Sequence, residues 1–569
     1  MAYENIYEGA AYGLESNSDN IYTGSTFSAG NIGGTTSVQT ANQITEVSNL
    51  LNSGMKPIEV SMIKQDVFDM IPKQHLKEIN RLAKLTGAEI SLHAPLVEPT
   101  GFTEQGGWSE QNRLQAEKQF TDTVLRAHEL SPDRNIPVTL HASNLLPGTD
   151  LVPTKYVSPE YLTDEEKKLP AVPMHEYAVE RETGKIVPLK RDLKYDMESP
   201  EPTPFTPEKK LDSINKSEWT HGLTNLGFYT KELEESKDDP LRAELFERDI
   251  ELNLRTFYEK ARKYGDEEAQ EKLKEIQKVW QEKAQSSEFK NMSQEKKSLL
   301  NAQLINQTIG TLLSLENAPK VYQPLNEFAL EKASETFGNS AFEAFKKFGD
   351  KSPVVSIENP PYGVAMSDAE SLKKLIEASR KQFEKKAIAS GISESEAEKQ
   401  AKKLIGATWD TSHIAMMKSH GFTNEDLLKQ TKTIAPFVKH VHFNDNLGGS
   451  HTDLPPGMGD TNIGKISDVL KKANPEAKRI FEGGNFFQNF RTSPHPLVLE
   501  AMGSPLYSLQ AQPAWNRIYN VPGVYSSGYG NMLPDQHFSL YGAGFSGLPT
   551  DLGGQIAGGQ SRMSGTPMS

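Results

Sequence analysis

Six ionisable residues each close a short apolar run: His93, His141, Glu358, Asp410, His442 and Glu482. Imidazole and carboxylate groups brought together without a thiolate suit Zn²⁺, Mn²⁺ or Co²⁺. The sequence contains no cysteine, so any metal must be held by His, Asp, Glu or water. Six such groups converging in one place are costly to bury unless charge is compensated, and divalent cations are the simplest compensation. Two neighbouring segments extend the set. DTSH (410–413) adds His413, and the Gly/Pro-rich stretch HFNDNLGGSHTDLPPGMGDTNIG (442–464) adds His451 and Asp453.

The elements that must carry these residues follow from the apolar pattern. Strands are expected at residues 57–62, 88–93, 136–141, 353–358, 405–410, 438–443 and 479–482, with another near 33–38. Helical patterns lie between most of them, including HLKEINRLAKLTG, where Gly87 fits a helix C-cap, and NRLQAEKQFTDTVLRAHEL. Strands alternating with helices predict a parallel sheet, and a closed (β/α)₈ TIM barrel is the expected α/β arrangement. Side chains alternate across a strand, so parity can be tested. Leu92 opposes His93, Leu140 opposes His141, Ile357 opposes Glu358, Trp409 opposes Asp410, Val441 opposes His442 and Phe481 opposes Glu482. Each apolar residue can face the helices while its ionisable neighbour faces the interior at the strand end, where barrel enzymes place their catalytic groups. His440 shares that inward face one layer deeper, where it could support His442. Glu59 is inward by parity and has no assigned role.

Composition divides the chain of 569 residues into five parts. Residues 1–27 read as a loosely ordered N-terminal tail, and 28–147 as the first half of the barrel with strands one to four. Residues 148–350 read as a largely helical insertion, Pro-rich and loop-like at first and then dense in mixed charge. Residues 351–500 carry the second half of the barrel, and 501–569 a Gly/Ser-rich C-terminal tail. The insertion leaves the end of the barrel that carries the site, so a partner surface or a cover over the site is one expectation. A solvated helical decoration is the other.

The net charge of −14 disfavours non-specific grip on DNA or on an anionic membrane by the whole surface. The first residues, MAYENIYEGA, show no basic segment followed by an apolar run, and no stretch of 18 apolar residues occurs. A cytoplasmic protein without a membrane partner is the expectation.

The motifs LHAP (92–95), LHAS (140–143), IEN (357–359), DTSH (410–413), HFND (442–445), the Gly-rich loop ending in NIG (449–464) and FEG (481–483) resemble the xylose isomerase-like barrel superfamily. Within it they most resemble the endonuclease IV family of apurinic/apyrimidinic endonucleases, over roughly residues 28–147 and 351–490. The resemblance implies a site of up to three Zn²⁺. His93 and His141 would bind one, with Glu358 bridging to a second completed by Asp410, His442 and Glu482. His413, His451 and Asp453 would hold the third. It further implies hydrolysis of the phosphodiester beside an abasic site in DNA by metal-ion catalysis. The loop departs from the family pattern, Asp-x-His, by reading His451-Thr-Asp453, the same ligand types in exchanged order. No basic segment interleaved with aromatic residues marks a DNA groove.

Three functions are compatible with these residues. The first is a zinc-dependent phosphodiester hydrolase. The second is a sugar or sugar-phosphate isomerase or epimerase on a similar barrel, in which Glu358, Asp410, His442 and Glu482 bind a single Mn²⁺ or Co²⁺. His413 would then touch substrate, and Glu358 and Glu482 would act as paired acid and base. The third is a non-catalytic metal-binding scaffold, which the intact ligand types disfavour.

Overall fold

The structure, a computed structural model, describes residues 32–483 except 53–54, 197–198, 236–239, 287–288, 290, 293, 450, 452 and 457–458. The two expected tails, 1–27 and 501–569, lie outside the described residues. The chain divides into two compact units. The barrel unit runs to Glu104, from Ser109 to Gly148 and from Ala329 onward; the other holds Gln105–Trp108 and Thr149–Phe328.

The barrel unit closes eight parallel strands: β1 (Ile32–Thr35), β2 (Pro57–Ser61), β3 (Glu89–His93), β4 (Pro137–His141), β11 (Val354–Glu358), β12 (Ile405–Asp410), β13 (Val438–His442) and β14 (Lys478–Phe481). Each of the eight coincides with an expected strand to within a few residues; β1 stops at Thr35 rather than Val38. The strands neighbour one another in chain order round the barrel, β14 closing on β1 through Ile32↔Arg479 and Gly34↔Phe481. At Gly33 the strands come so close that a Cβ would strike the Pro57 carbonyl oxygen, so only glycine fits that point of closure.

The alternating pattern places Leu92, Leu140, Ile357, Trp409 and Val441 on the outer face, all essentially fully buried under the helical layer. Burying each such side chain contributes about 1.5–3 kcal/mol, which ties strand parity to stability. The helices read from sequence are present as Gln43–Asn52, Lys73–Thr86 and Glu110–Ala127. Gly87 closes the second with φ +69°, the left-handed conformation expected of a glycine cap. Register carries the ionisable residues to a common height. Ser61 pairs with His93, Glu358 with His141, and Asp410 with His442. An irregularity between Ala407 and Thr408 sets Thr408 against His440, and alternation along β13 turns both of its imidazoles to the same face.

The other unit contains more β structure than its sequence suggests. β5 (Asp150–Pro153), β6 (Ala171–Glu180), β7 (Ile186–Lys190) and β10 (Tyr322–Pro324) form an antiparallel sheet, and β8 (Asp192–Asp196) pairs with β9 (Ser199–Phe205). Prolines at 153, 173, 188, 200, 202 and 204 hide these strands, because proline demotes an apolar run to a loop or an edge. The expected helices follow as Pro207–Glu235, Pro240–Tyr264, Glu267–Gln285 and Gln294–Leu313. They bury their own core of Trp219, Leu223, Ile250, Leu254, Ile305 and Leu312. No described helix is long and apolar enough to cross a membrane.

Candidate metal centre

The carboxyl ends of β3, β4, β11, β12, β13 and β14 deliver His93, His141, Glu358, Asp410, His442 and Glu482 to one rim. Glu358 is the hub. His442 Nδ1 lies 2.7 Å from Glu358 Oε1, and His141 Nε2 and His93 Nε2 lie 3.1 and 3.4 Å from Glu358 Oε2. Glu482 Oε1 stands 3.5 Å from His442 Nδ1 and 3.8 Å from His93 Nε2, while Asp410 Oδ2 is 3.9 Å from His442 Nδ1. Glu358, Asp410, His442 and Glu482 thus present ligand atoms all within 4.8 Å of one another, and so do His93, Glu358 and His442. The expected grouping of His93 with His141 and Glu358 is present as two approaches to one carboxylate. The compact three-atom grouping takes His442 in place of His141.

A separate set joins His413, at the start of the helix after β12, to His451 and Asp453 on the loop after β13. His413 Nε2 and His451 Nε2 face each other at 2.9 Å, and Asp453 Oδ1 is 2.9 Å from His451 Nε2. Asp453 adopts φ +42°, a conformation that a non-glycine residue holds only when its surroundings impose it. Those surroundings begin at Asp445, whose backbone pairs with Leu454 in both directions. The Asp445 carboxylate also accepts from the backbone N–H of Gly459 (2.9 Å) and Thr461 (3.2 Å). The exchanged order of His451 and Asp453 therefore still brings both side chains to His413.

The orientation of these groups fits cations. His93 Nδ1 bonds the Ala94 carbonyl at 2.9 Å and His413 Nδ1 bonds the Asn359 carbonyl at 2.7 Å. A carbonyl only accepts, so each Nδ1 carries hydrogen and each Nε2 is the nitrogen offered to the site. Glu358 Oε2 and Asp453 Oδ1 are buried without a hydrogen bond, although imidazole nitrogens stand 3.1 and 2.9 Å away. Short approaches of that kind arise where ligand atoms are aimed at a shared point rather than at each other. The donor set, imidazole and carboxylate alone, matches Zn²⁺, Mn²⁺ or Co²⁺ and does not discriminate among them.

Electrostatics follow the same geometry. Burial opposes the charge on Glu358, but His442 and His141 outweigh it and hold the carboxyl well below its usual range. Burial likewise works against Asp453, and His451 holds it down. His93 is pushed up to about 9 by Glu358 and then Glu482 against its own burial, and His451 to about 9 by Asp453. His442 rises well above its ordinary value because Glu358, Glu482 and Glu59 outweigh burial. For His141 burial wins over Glu358, and its pKa falls. Glu482 goes the other way: burial, with Glu358 and Asp410 adding repulsion, lifts it to about 8 despite His442 and His93. The protein without cations thus stores protons where cations would sit.

Several residues with evident roles had no part assigned from sequence. Glu59 accepts from His442 and His440. Asn444 donates from Nδ2 to Asp410 Oδ2 (2.8 Å) and Glu482 Oε2 (3.2 Å), bridging two carboxylates. Asn359 fixes His413, and Asp445 fixes the loop. Asn359, Asn444 and Asp445 lie inside the quoted motifs, which was the available signal. Of the remaining histidines, His128 stacks on Phe348 at 3.7 Å, away from the rim.

No family model matches this sequence, and no curated protein matches it. Among solved structures, one described as a D-tagatose 3-epimerase-like protein aligns with a TM-score of 0.38 and 11% identity, over 85% of this chain and 100% of that one. The site itself is the carboxyl rim of a parallel eight-stranded barrel, where imidazole and carboxylate groups that could hold a metal gather.

Proposed function

We propose that this chain is a divalent-metal-dependent hydrolase of phosphate esters. The observation that carries this reading is the His413–His451–Asp453 set, assembled beside the four-ligand set of Glu358, Asp410, His442 and Glu482. An enzyme that only moves protons next to a carbonyl has no need of it, whereas phosphoryl transfer uses more than one cation to hold attacking and leaving oxygens. Bound divalent cations would supply a water that ionises near neutral pH and positive charge for the phosphoryl oxygens. The chain's own part is to fix the ligands. Asn444 ties Asp410 to Glu482, and main-chain carbonyls orient His93 and His413. The phosphodiester of an abasic-site duplex is the substrate the sequence motifs suggest.

A second reading is a sugar or sugar-phosphate isomerase or epimerase using one cation. It is favoured by Glu358, Asp410, His442 and Glu482, whose ligand atoms form by themselves a complete set for one cation. Glu358 and Glu482 are the two carboxylates that could act there as paired acid and base.

One experiment separates the readings. The purified chain is stripped with chelator, reloaded with Zn²⁺, Mn²⁺ or Co²⁺, and assayed on an abasic-site duplex and on a panel of sugar phosphates, with bound metal counted. Hydrolysis with two or three cations per chain supports the first reading; isomerisation with one supports the second. Glu358→Gln should weaken cation binding by more than about 100-fold, beyond what loss of a supporting group costs. Either activity surviving complete metal removal would sink both readings.

A further inference from the structure

One layer below the cation ligands, Glu59 on β2 stands between the two imidazoles of β13. His442 Nε2 donates to Glu59 Oε1 at 2.9 Å, and His440 Nε2 donates to Glu59 Oε2 at 2.8 Å. Ser91 Oγ on β3 donates to the same Oε2 at 3.0 Å. Glu59, His440 and His442 are fully buried. An ionised carboxylate only accepts, so each imidazole nitrogen facing it carries a hydrogen. For His442 that hydrogen has a consequence at the opposite nitrogen. In a neutral imidazole with hydrogen on Nε2, Nδ1 is a lone pair. Nδ1 is the nitrogen that faces upward, 2.7 Å from Glu358 Oε1, 3.5 Å from Glu482 Oε1 and 3.9 Å from Asp410 Oδ2.

We propose that Glu59 is the positioning residue of this centre: its carboxylate keeps the hydrogen on His442 Nε2 and so presents Nδ1 as the cation ligand. His440 and Ser91 hold that carboxylate in place. Hydrogen bonds of this kind fix the ring and raise the basicity of its free nitrogen. The inference rests on the divalent-cation reading of the four-ligand set and is independent of which reaction the centre performs. Two other roles are open to such a trio. Glu59 could be only a satisfied polar group of the core, or Glu59, His440 and His442 could themselves enclose a cation, since their ligand atoms also lie within 4.8 Å of one another. The bonded geometry at both imidazoles speaks for positioning.

The test uses the full chain, stripped of metal and titrated with Co²⁺, with affinity followed by the visible absorption of the bound ion and stoichiometry by equilibrium dialysis. In Glu59→Gln one of the two accepting oxygens becomes an NH2 donor, so the separate acceptors that His442 Nε2 and His440 Nε2 use on the carboxylate are no longer both present. Co²⁺ affinity at the four-ligand set should fall about 10- to 100-fold with a changed absorption band and an unchanged number of ions at saturation. Should that variant fail to fold, Glu59→Asp keeps the charge but is one methylene short of His442, and the same loss is expected. Thr139→Val removes a buried hydrogen bond of the same barrel interior, to Thr408 at 3.1 Å, and should leave Co²⁺ affinity unchanged. A folded Glu59 variant that binds Co²⁺ as tightly as the parent overturns the proposal and makes Glu59 a core group. One ion fewer at saturation overturns it in favour of a ligand role. A parent chain that binds no Co²⁺ at this centre removes the cation reading itself, and with it this one.

Discussion

His93 and His413 commit their Nδ1 hydrogens to main-chain carbonyls, and His442 commits Nε2–H to Glu59. Each ring therefore turns one nitrogen toward the rim, and His93 and His442 hold protons there more tightly than a free imidazole because Glu358 and Glu482 outweigh their burial. The consequence is a pH dependence with a definite sign. His93 and His451 are raised from an ordinary 6.5 to about 9 in the folded protein. Their stabilising contribution is complete below pH 6.5 and is lost as pH rises through about 9. Glu482, raised from 4.5 to about 8 by burial and by the neighbouring Glu358 and Asp410, loses its contribution over a lower window: complete below pH 4.5 and gone once pH has risen through about 8. On the acid side Glu358 and Asp453 have depressed folded values, so their contribution is present above about pH 4.5 and fades as pH falls through those values. The metal-free protein should show an unfolding temperature that declines from pH 7 to pH 10. Saturating Zn²⁺ or Co²⁺ should flatten that decline, since cations replace the protons and binding to the folded state alone stabilises it. Thermal unfolding across pH, with and without chelator, checks this; a metal-free profile that is flat above pH 7 would contradict the proton-storing account.

At the scale of elements, strand parity explains why so much of the centre was legible. A strand end contributes one inward side chain at a height set by register, and alternation with Leu92, Leu140, Ile357, Trp409 and Val441 makes that side chain identifiable without any partner. Glu59 was inward by the same rule, yet its job lay hidden, because its partners on β13 are 381 and 383 residues away and meet it only when the barrel closes. Prolines concealed the strands of the second unit for a local reason, the missing N–H. The loop after β13 was hardest to read. Its Gly/Pro composition announces turns but not which residues they aim inward, and the answer depends on Asp445 gathering Gly459 and Thr461. Gly459 packs so closely that a Cβ would strike Asp445 Oδ1 and the Asn446 backbone. Gly459→Ala should therefore displace the loop at a cost of about 1–3 kcal/mol, the usual range for overpacking. Metal counting on that variant should find the His413–His451–Asp453 set emptied or weakened while the four-ligand set still fills. An unchanged stoichiometry and affinity would show that the loop's anchoring does not govern the third set.

For the whole molecule, the relevant fact is that the ligands all belong to one of the two compact units. His93, His141, Glu358, Asp410, His413, His442, His451, Asp453 and Glu482 lie in the barrel unit, and the unit holding Thr149–Phe328 has its own core around Trp219, Leu223 and Ile305. A chain of two compact units, one with a core of its own, need not melt in a single step. Cations held by these residues would bind the folded barrel, so their linkage would act on that block. At a free concentration 100 times the dissociation constant, one bound cation stabilises by about 2.7 kcal/mol. Calorimetry of the full chain should then show two transitions, of which added Zn²⁺ raises one and chelator lowers the same one. The other should stay fixed and should be the one shifted by Leu223→Ala, a core truncation expected to cost about 2–5 kcal/mol. A single transition that moves as one with both metal and the Leu223 change would mean that the two cores are energetically coupled, and that loading the centre stabilises the inserted unit as well as the barrel.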